Sequence, residues 1–276
     1  MNRLAALVLC LCATTAHAGG DALPLDPEQP DGTITLSQGT ILARADSRAL
    51  QRLEYGPACQ HVAIERRWNS CDGIEVFLTG LSDQIELMAI LQPQRTGWIG
   101  DLTWDPVWAA ELKTMSEIQQ VRHAISMSAR HADLEMSLDK MLLPFTVDFF
   151  KPAVYFAMER TINGEVERDA QLYLFDRRGT VLFGIRFGPA VQTPQDAFAA
   201  INHVLGQYSS AEGEDWSDFR PGEPVMGLGA LGFAFNQADL GYDPSPIDAG
   251  GPSEEGLAAA ILRLGMAIAD GLFAGP

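Results

Sequence analysis

AVYFAMERTINGEVERDAQLYLFDRRGTVLFGIRF, residues 153–187, decides the fold. Asn163-Gly164 is a dipeptide suited to a two-residue turn that needs positive φ at both positions, and it separates two runs of alternating polarity. Val166, Ala170, Leu172 and Leu174 mark one face of the second run. Asp176-Arg177-Arg178-Gly179 is a second tight turn. Val181, Phe183, Ile185 and Phe187 then repeat the two-residue period. Three antiparallel strands in a meander are expected over 153–162, 165–175 and 180–187. Thr193-Pro194-Gln195-Asp196 follows, a capping box with proline in the first turn. A helix is expected from there to about Tyr208, buried through Phe198, Ile201 and Leu205.

Upstream, Thr33–Ala45 reads as a strand pair around Gln38-Gly39 and Gly73–Gly80 as a short strand. Leu81, Ile85, Met88 and Leu91 recur at helical spacing, so a helix is expected over 81–91. Asp105-Pro106 is a helix start. From Val121 to Leu138 two periods compete. Val121, His123, Ile125 and Met127 alternate with polar residues, as do Ala132, Leu134, Met136 and Leu138. The reading leans to two strands there, with a continuous helix as the rival. Downstream, 209–252 is rich in Gly, Pro and acids and reads as poorly ordered loop around an apolar glycine-rich patch (225–235). Ser253 caps a final apolar helix, GLAAAILRLGMAIADGLF, expected to pack into the chain's own core or against a second subunit.

The resulting fold class is α+β: an antiparallel meander with helices packed on one face, plus a C-terminal helix. The expected divisions are 1–18 signal peptide, 19–32 mobile lead-in, 33–208 α+β domain, 209–252 loop region and 253–276 terminal helix.

MNRLAALVLCLCATTAHA, residues 1–18, combines one early cation, a short apolar run and an Ala-x-Ala end. That is an export signal, and the run is too short to span a bilayer. A periplasmic or secreted location is expected. The chain carries a formal charge of −17 and no basic stripe, which opposes nucleic acid and anionic membranes as partners and favours cationic ones. Of four cysteines, two lie in the signal. Cys59 and Cys71 remain, and a structural disulfide is expected in an oxidising compartment.

Phosphate-loop, Gly-x-Ser-x-Gly, His-Glu-x-x-His and calcium-loop motifs are missing from the sequence, which moves the common nucleotide, hydrolase and zinc-protease readings back. Trp98, Trp104 and Trp108 cluster within a short stretch and read either as core anchors or as the lining of a site for a flat ligand.

AVYFAMERTINGE, AQLYLFDRRGTVLFGIRFG and QDAFAAINHVL together resemble the haem-utilisation carriers and haemin-degrading factors. HADLEMSLDKMLLP is similar to the strand before a Leu-Pro turn in the same family, so the resemblance spans residues 101–208. It implies a haem- or tetrapyrrole-handling protein, not obviously an enzyme, with haem as cofactor. On that reading His123 or His131 would meet the iron, and Arg160, which ends a strand next to Tyr155, or Arg186 a propionate; the alternatives are half-exposed histidines on strand surfaces and a surface ion pair at Glu159-Arg160. Phe156, Met158 and Phe183 would hold the macrocycle on one sheet face. The chain departs from the family in being exported and in the short stretch between Leu143-Pro144 and Pro152, where the single-domain carriers have histidines. The alternative is a periplasmic binding or assembly module of related fold that does not bind haem, its partner a small molecule or a protein.

Overall fold

A computed structural model describes residues 22–23, 33–42, 51–53, 74–130 and 134–240. The expected signal peptide, the Cys59–Cys71 disulfide, His131 and the terminal helix lie outside the described residues.

The meander forms as read. Strands β8 (Ala153–Ile162), β9 (Glu165–Phe175) and β10 (Thr180–Phe187) pair antiparallel in sequence order. Asn163 and Gly164 adopt φ of 51° and 84°, the mirror-image turn that matches strand twist. At the second turn the Asp176 carboxylate accepts from the Arg178 and Gly179 amides at 2.6 and 2.7 Å. Gly179 is required there, because a Cβ would stand 1.7 Å from the Gln94 carbonyl oxygen.

The meander is the centre of an eight-stranded antiparallel sheet. Its other members are β1 (Ala22–Leu23), β4 (Gln51–Leu53), β5 (Ile74–Ser82), β6 (Ile85–Leu91) and β7 (Met136–Asp148), in the order β1-β4-β5-β6-β10-β9-β8-β7. A second sheet joins β2 (Thr33–Leu36), β3 (Gly39–Leu42) and β11 (Tyr208–Ser210), so the hairpin expected at Gln38-Gly39 is present.

Helix α1 (Pro106–Arg130) is capped by Asp105, whose carboxylate accepts from the Val107 amide at 2.7 Å. Helix α2 (Pro194–Gln207) carries the expected reciprocal box between Thr193 and Asp196, but Phe198, expected in its buried stripe, is 46% exposed, because the face that meets the core runs through Ala197, Ala200, Ile201 and Val204. Helix α3 (Gly229–Leu240) is the last described element. The sheet is covered twice. Ile201, Val204 and Leu205 of α2, with Ile34 and Ile41 of the small sheet, close over Leu78, Tyr155, Leu172 and Phe183. Leu112 and Met115 of α1, with Phe233 and Ala234 of α3, close over Phe156, Met158, Tyr173 and Leu182. The α+β class holds, with helices on both faces of the sheet.

Three expectations are corrected. Residues 81–91 are not a helix: Asp83-Gln84 turns β5 into β6, where Met88 and Ile90 point to one core and Ala89 and Leu91 to the other. A short strand buried on both faces is an apolar run, and such a run does not reveal its period. Residues 121–130 are helix, not strand, and of the second alternating run Met136 and Leu138 open β7. Ala124 and Met127 are buried while Val121 and Ile125 are exposed, so the apparent alternation splits between opposite sides of α1. Residues 229–240 are helix rather than loop. The glycines depress helix propensity, and burial of Ala230, Phe233, Ala234 and Ala238 overrides it. The preceding acidic stretch is pinned rather than loose: Glu214 and Glu223 pair with Arg178 and Arg177 of the β9–β10 turn.

Candidate functional site

Among the described residues, those expected to hold haem do not converge. Tyr155 is buried under α2, its ring 6.4 Å from that of Phe198, and burial pushes its phenol up to about 12. Arg160 lies on the opposite face, where Met158 and its cross-strand partner Asp169 point, and its guanidinium is paired with the Asp169 carboxylate. Arg186 spans Glu167 at 2.9 Å and Glu86 at 3.3 Å. Both arginines therefore serve a charged row across β8, β9 and β10. His123 is half-buried on α1. Phe156 and Met158 face α1 and α3, whereas Phe183 faces α2. No single sheet face presents these three side chains, because residues of opposite parity on paired strands point to opposite sides. Among the described residues no three His, Cys, Asp or Glu side chains are grouped to hold a metal ion.

An open groove of about 440 Å³ lies elsewhere, between the first turns of α1 and the end of β7. Trp104, Ala109, Ala110 and Lys113 form one wall, and Pro144 to Val147 with Phe149 form the other. Phe145 anchors the floor by packing on Phe156, ring centroids 4.4 Å apart. β7 is an edge strand of the sheet, and edges are where chains add on. Its pairing with β8 shifts register three times, and Pro144 removes a donor. Strand addition is thereby discouraged, and the groove offers side-chain contacts instead.

The turn after β7 completes the site. Asp148 accepts from the Phe150 and Lys151 amides at 2.8 and 3.0 Å. Lys151 reaches across to the carbonyls of Leu205 and Tyr208, where α2 ends. An ammonium there meets the negative end of the helix dipole, while burial holds the Lys151 pKa below its usual range. So tied, the turn leaves Phe149 exposed at the groove and Phe150 fully exposed.

Of the three tryptophans, Trp98 is structural: it stacks on Phe219 at 4.1 Å and donates to the Trp216 carbonyl at 3.0 Å. Trp104 lines the groove, and Trp108 stands edge-on to Phe235, 6.2 Å away. Sequence reasoning missed Phe145, Phe149 and Phe150. The readable signal was Asp148-Phe149-Phe150-Lys151-Pro152, two aromatics inside a turn, where polar residues are the rule.

No helix among the described residues is long and apolar enough to cross a membrane. No family model matches the chain, and no curated protein matches it. Among solved structures, the chain is similar to cyanobacterial PsbP (CyanoP) from Synechocystis sp. PCC 6803 at 12% identity and a TM-score of 0.34, over 63% of this chain and 86% of that one. A likeness of that degree identifies neither ligand nor partner, and it does not bear on the resemblance to the haem carriers.

Proposed function

We propose that this chain is an exported, non-catalytic binding module that takes an apolar segment of a partner protein into the groove between α1 and β7. The observation that carries the reading is the pair Phe149 and Phe150, held out to solvent by a turn braced at Asp148 and Lys151. Exposed aromatic surface beside a concave apolar wall is the composition of an interface anchor site. The exposed Asp101 and Asp105 ahead of α1, and the net charge of −17, favour basic residues flanking the apolar segment. Haem remains the second reading, and the same groove suits it better than the sheet face does. Trp104, Phe145 and Phe149 would border a flat ligand, and Lys113 would meet a carboxylate.

An array of apolar peptides flanked by Lys or Arg, probed with the full chain, tests the proposal. Binders are expected whose affinity falls at least ~10-fold, about 1.4 kcal/mol, in Trp104→Ala and in Phe149→Ser. Binders indifferent to both substitutions, or none, refute it. Haemin titration of the same proteins separates the second reading: a saturable Soret band that Phe149→Ser removes would place haem in the groove.

A further inference from the structure

Lysine is scarce in this chain. Lys113, Lys140 and Lys151 are its three lysines, against 36 Asp and Glu. Lys151 is tied to the carbonyls of Leu205 and Tyr208. Lys140 stands 3.1 Å from Glu159 of β8. Arginines of the sheet and its turns are engaged in the same way, Arg177 with Glu223, Arg178 with Glu214 and Arg186 with Glu167. Lys113 differs. Its ammonium has Glu117, one helical turn on, at 3.9 Å, and its side chain is 52% exposed. Such an exposed pair contributes little. Yet Lys113 stands in the wall of the groove, and among the described residues that line the groove it alone is charged. The Thr146 hydroxyl opposite is satisfied by the Pro144 carbonyl at 2.9 Å. An apolar trough with one ammonium in its wall selects a ligand that is apolar along its length and anionic at one place.

A second charge gives the ligand a direction. Asp105 caps α1 at the head of the groove, and the amide of Ala109, which lines the wall, donates to the Asp105 carbonyl at 2.9 Å. Asp105, Ala109 and Lys113 follow one another at steps of four residues, which return to one helix face. Asp105 and Lys113 are therefore about 12 Å apart along the helix axis at the standard rise. An extended chain covers that distance in about four residues. The β7 wall from Pro144 to Phe149 is roughly 17 Å long and accommodates them. Opposite charges at this spacing, at the two ends of an open apolar trough, match the last residues of a polypeptide: a base, a few apolar side chains, then the terminal carboxylate. A fatty acid would offer the carboxylate and nothing for Asp105.

We infer, taking the groove as the partner site proposed above, that the segment it receives is a partner's C-terminal tail, with the terminal carboxylate on Lys113, apolar side chains against Trp104 and Phe145, and a base about four residues upstream facing Asp105. An internal apolar segment lacks the carboxylate. It would cover the Lys113 ammonium without replacing the water it loses, and that cost selects against it.

Paired peptides titrated with the full chain test this. Apolar pentapeptides led by Lys or by Ser, each made as the free acid and as the C-terminal amide, would carry fluorescein at the N-terminus and be read by fluorescence anisotropy. Free acids led by Lys are expected to bind at least ~10-fold more tightly than their amides. Lys113→Met is expected to abolish that difference and Lys113→Arg to keep it. Asp105→Asn retains a capping oxygen and is expected to remove the advantage of a leading Lys over a leading Ser. Lys113 and Asp105 are exposed, so urea midpoints close to the parent are expected for all three variants. Peptides that bind equally as acid and amide, and still depend on Trp104 and Phe149, would overturn the assignment of a C-terminal tail and leave the groove reading standing. An acid preference that survives Lys113→Met would overturn the assignment too. Binding of neither form would overturn the groove reading itself, and the tail with it.

Discussion

Arg160→Met separates a ligand-binding role for this arginine from a structural one. In the folded chain the Arg160 and Asp169 side chains keep only 7% and 8% of their exposure, and they face each other across β8 and β9. Taking Arg160 away leaves the Asp169 carboxylate inside the layer under α1 and α3 with its cation gone. Breaking a buried pair in this way costs about 3–5 kcal/mol, because the surviving charge has lost both water and partner. With a urea m-value of about 2 kcal/mol/M, that is a fall of roughly 1.5–2.5 M in the denaturation midpoint. The double variant Arg160→Met with Asp169→Leu removes both charges and keeps the volume, so most of the loss is expected to return. Equilibrium unfolding followed by far-UV circular dichroism reads all of this. A single variant within about 0.5 M of the parent, at unchanged m-value, would refute the structural role. So would a double variant no more stable than the single one.

Three further outcomes follow from the same structure. Gly179→Ala forces a methyl group against the Gln94 carbonyl, and the backbone must move, at a cost of about 3 kcal/mol visible in thermal unfolding. Thr193→Ala removes one half of the α2 capping box and is expected to cost about 1 kcal/mol, checked by the urea midpoint, with Thr193→Ser close to parental. The Arg177 guanidinium holds Glu223 down from its ordinary 4.5 to about 2. A carboxylate whose folded value is depressed favours folding above its unfolded value, so this contribution is complete above pH 4.5 and disappears as the pH falls to about 2. The stability gap between parent and Arg177→Met is accordingly expected to narrow over that window in acid titrations. A gap that does not change with pH would contradict the pairing.

Local chemistry was readable from residues alone wherever one short stretch settled its own geometry. Asn163-Gly164 demanded positive φ, Asp176 and Gly179 closed a turn between neighbours, and Thr193 and Asp196 capped a helix within one turn. Strand parity in the meander was legible for the same reason, since its period is two. What the residues did not disclose were matters of which surface meets which. Met88 to Leu91 could serve either period, and the choice came from cores on both sides of β6. Val121 to Met127 alternated in sequence, yet α1 divides the row between the sheet and solvent. Phe233 sits in a glycine-rich run that favours loop, and it is helical because Tyr173 and Phe175 receive its ring at 5.2 and 5.4 Å. The candidate site belongs to this second kind. Trp104 and Phe149 are far apart along the chain, and they become neighbours because α1 runs along the edge strand β7. Local propensities are worth a kcal/mol or less per residue, whereas burying one large apolar side chain is worth about 1.5–3 kcal/mol. Where the two disagreed, packing decided the structure, and with it the position of the candidate groove.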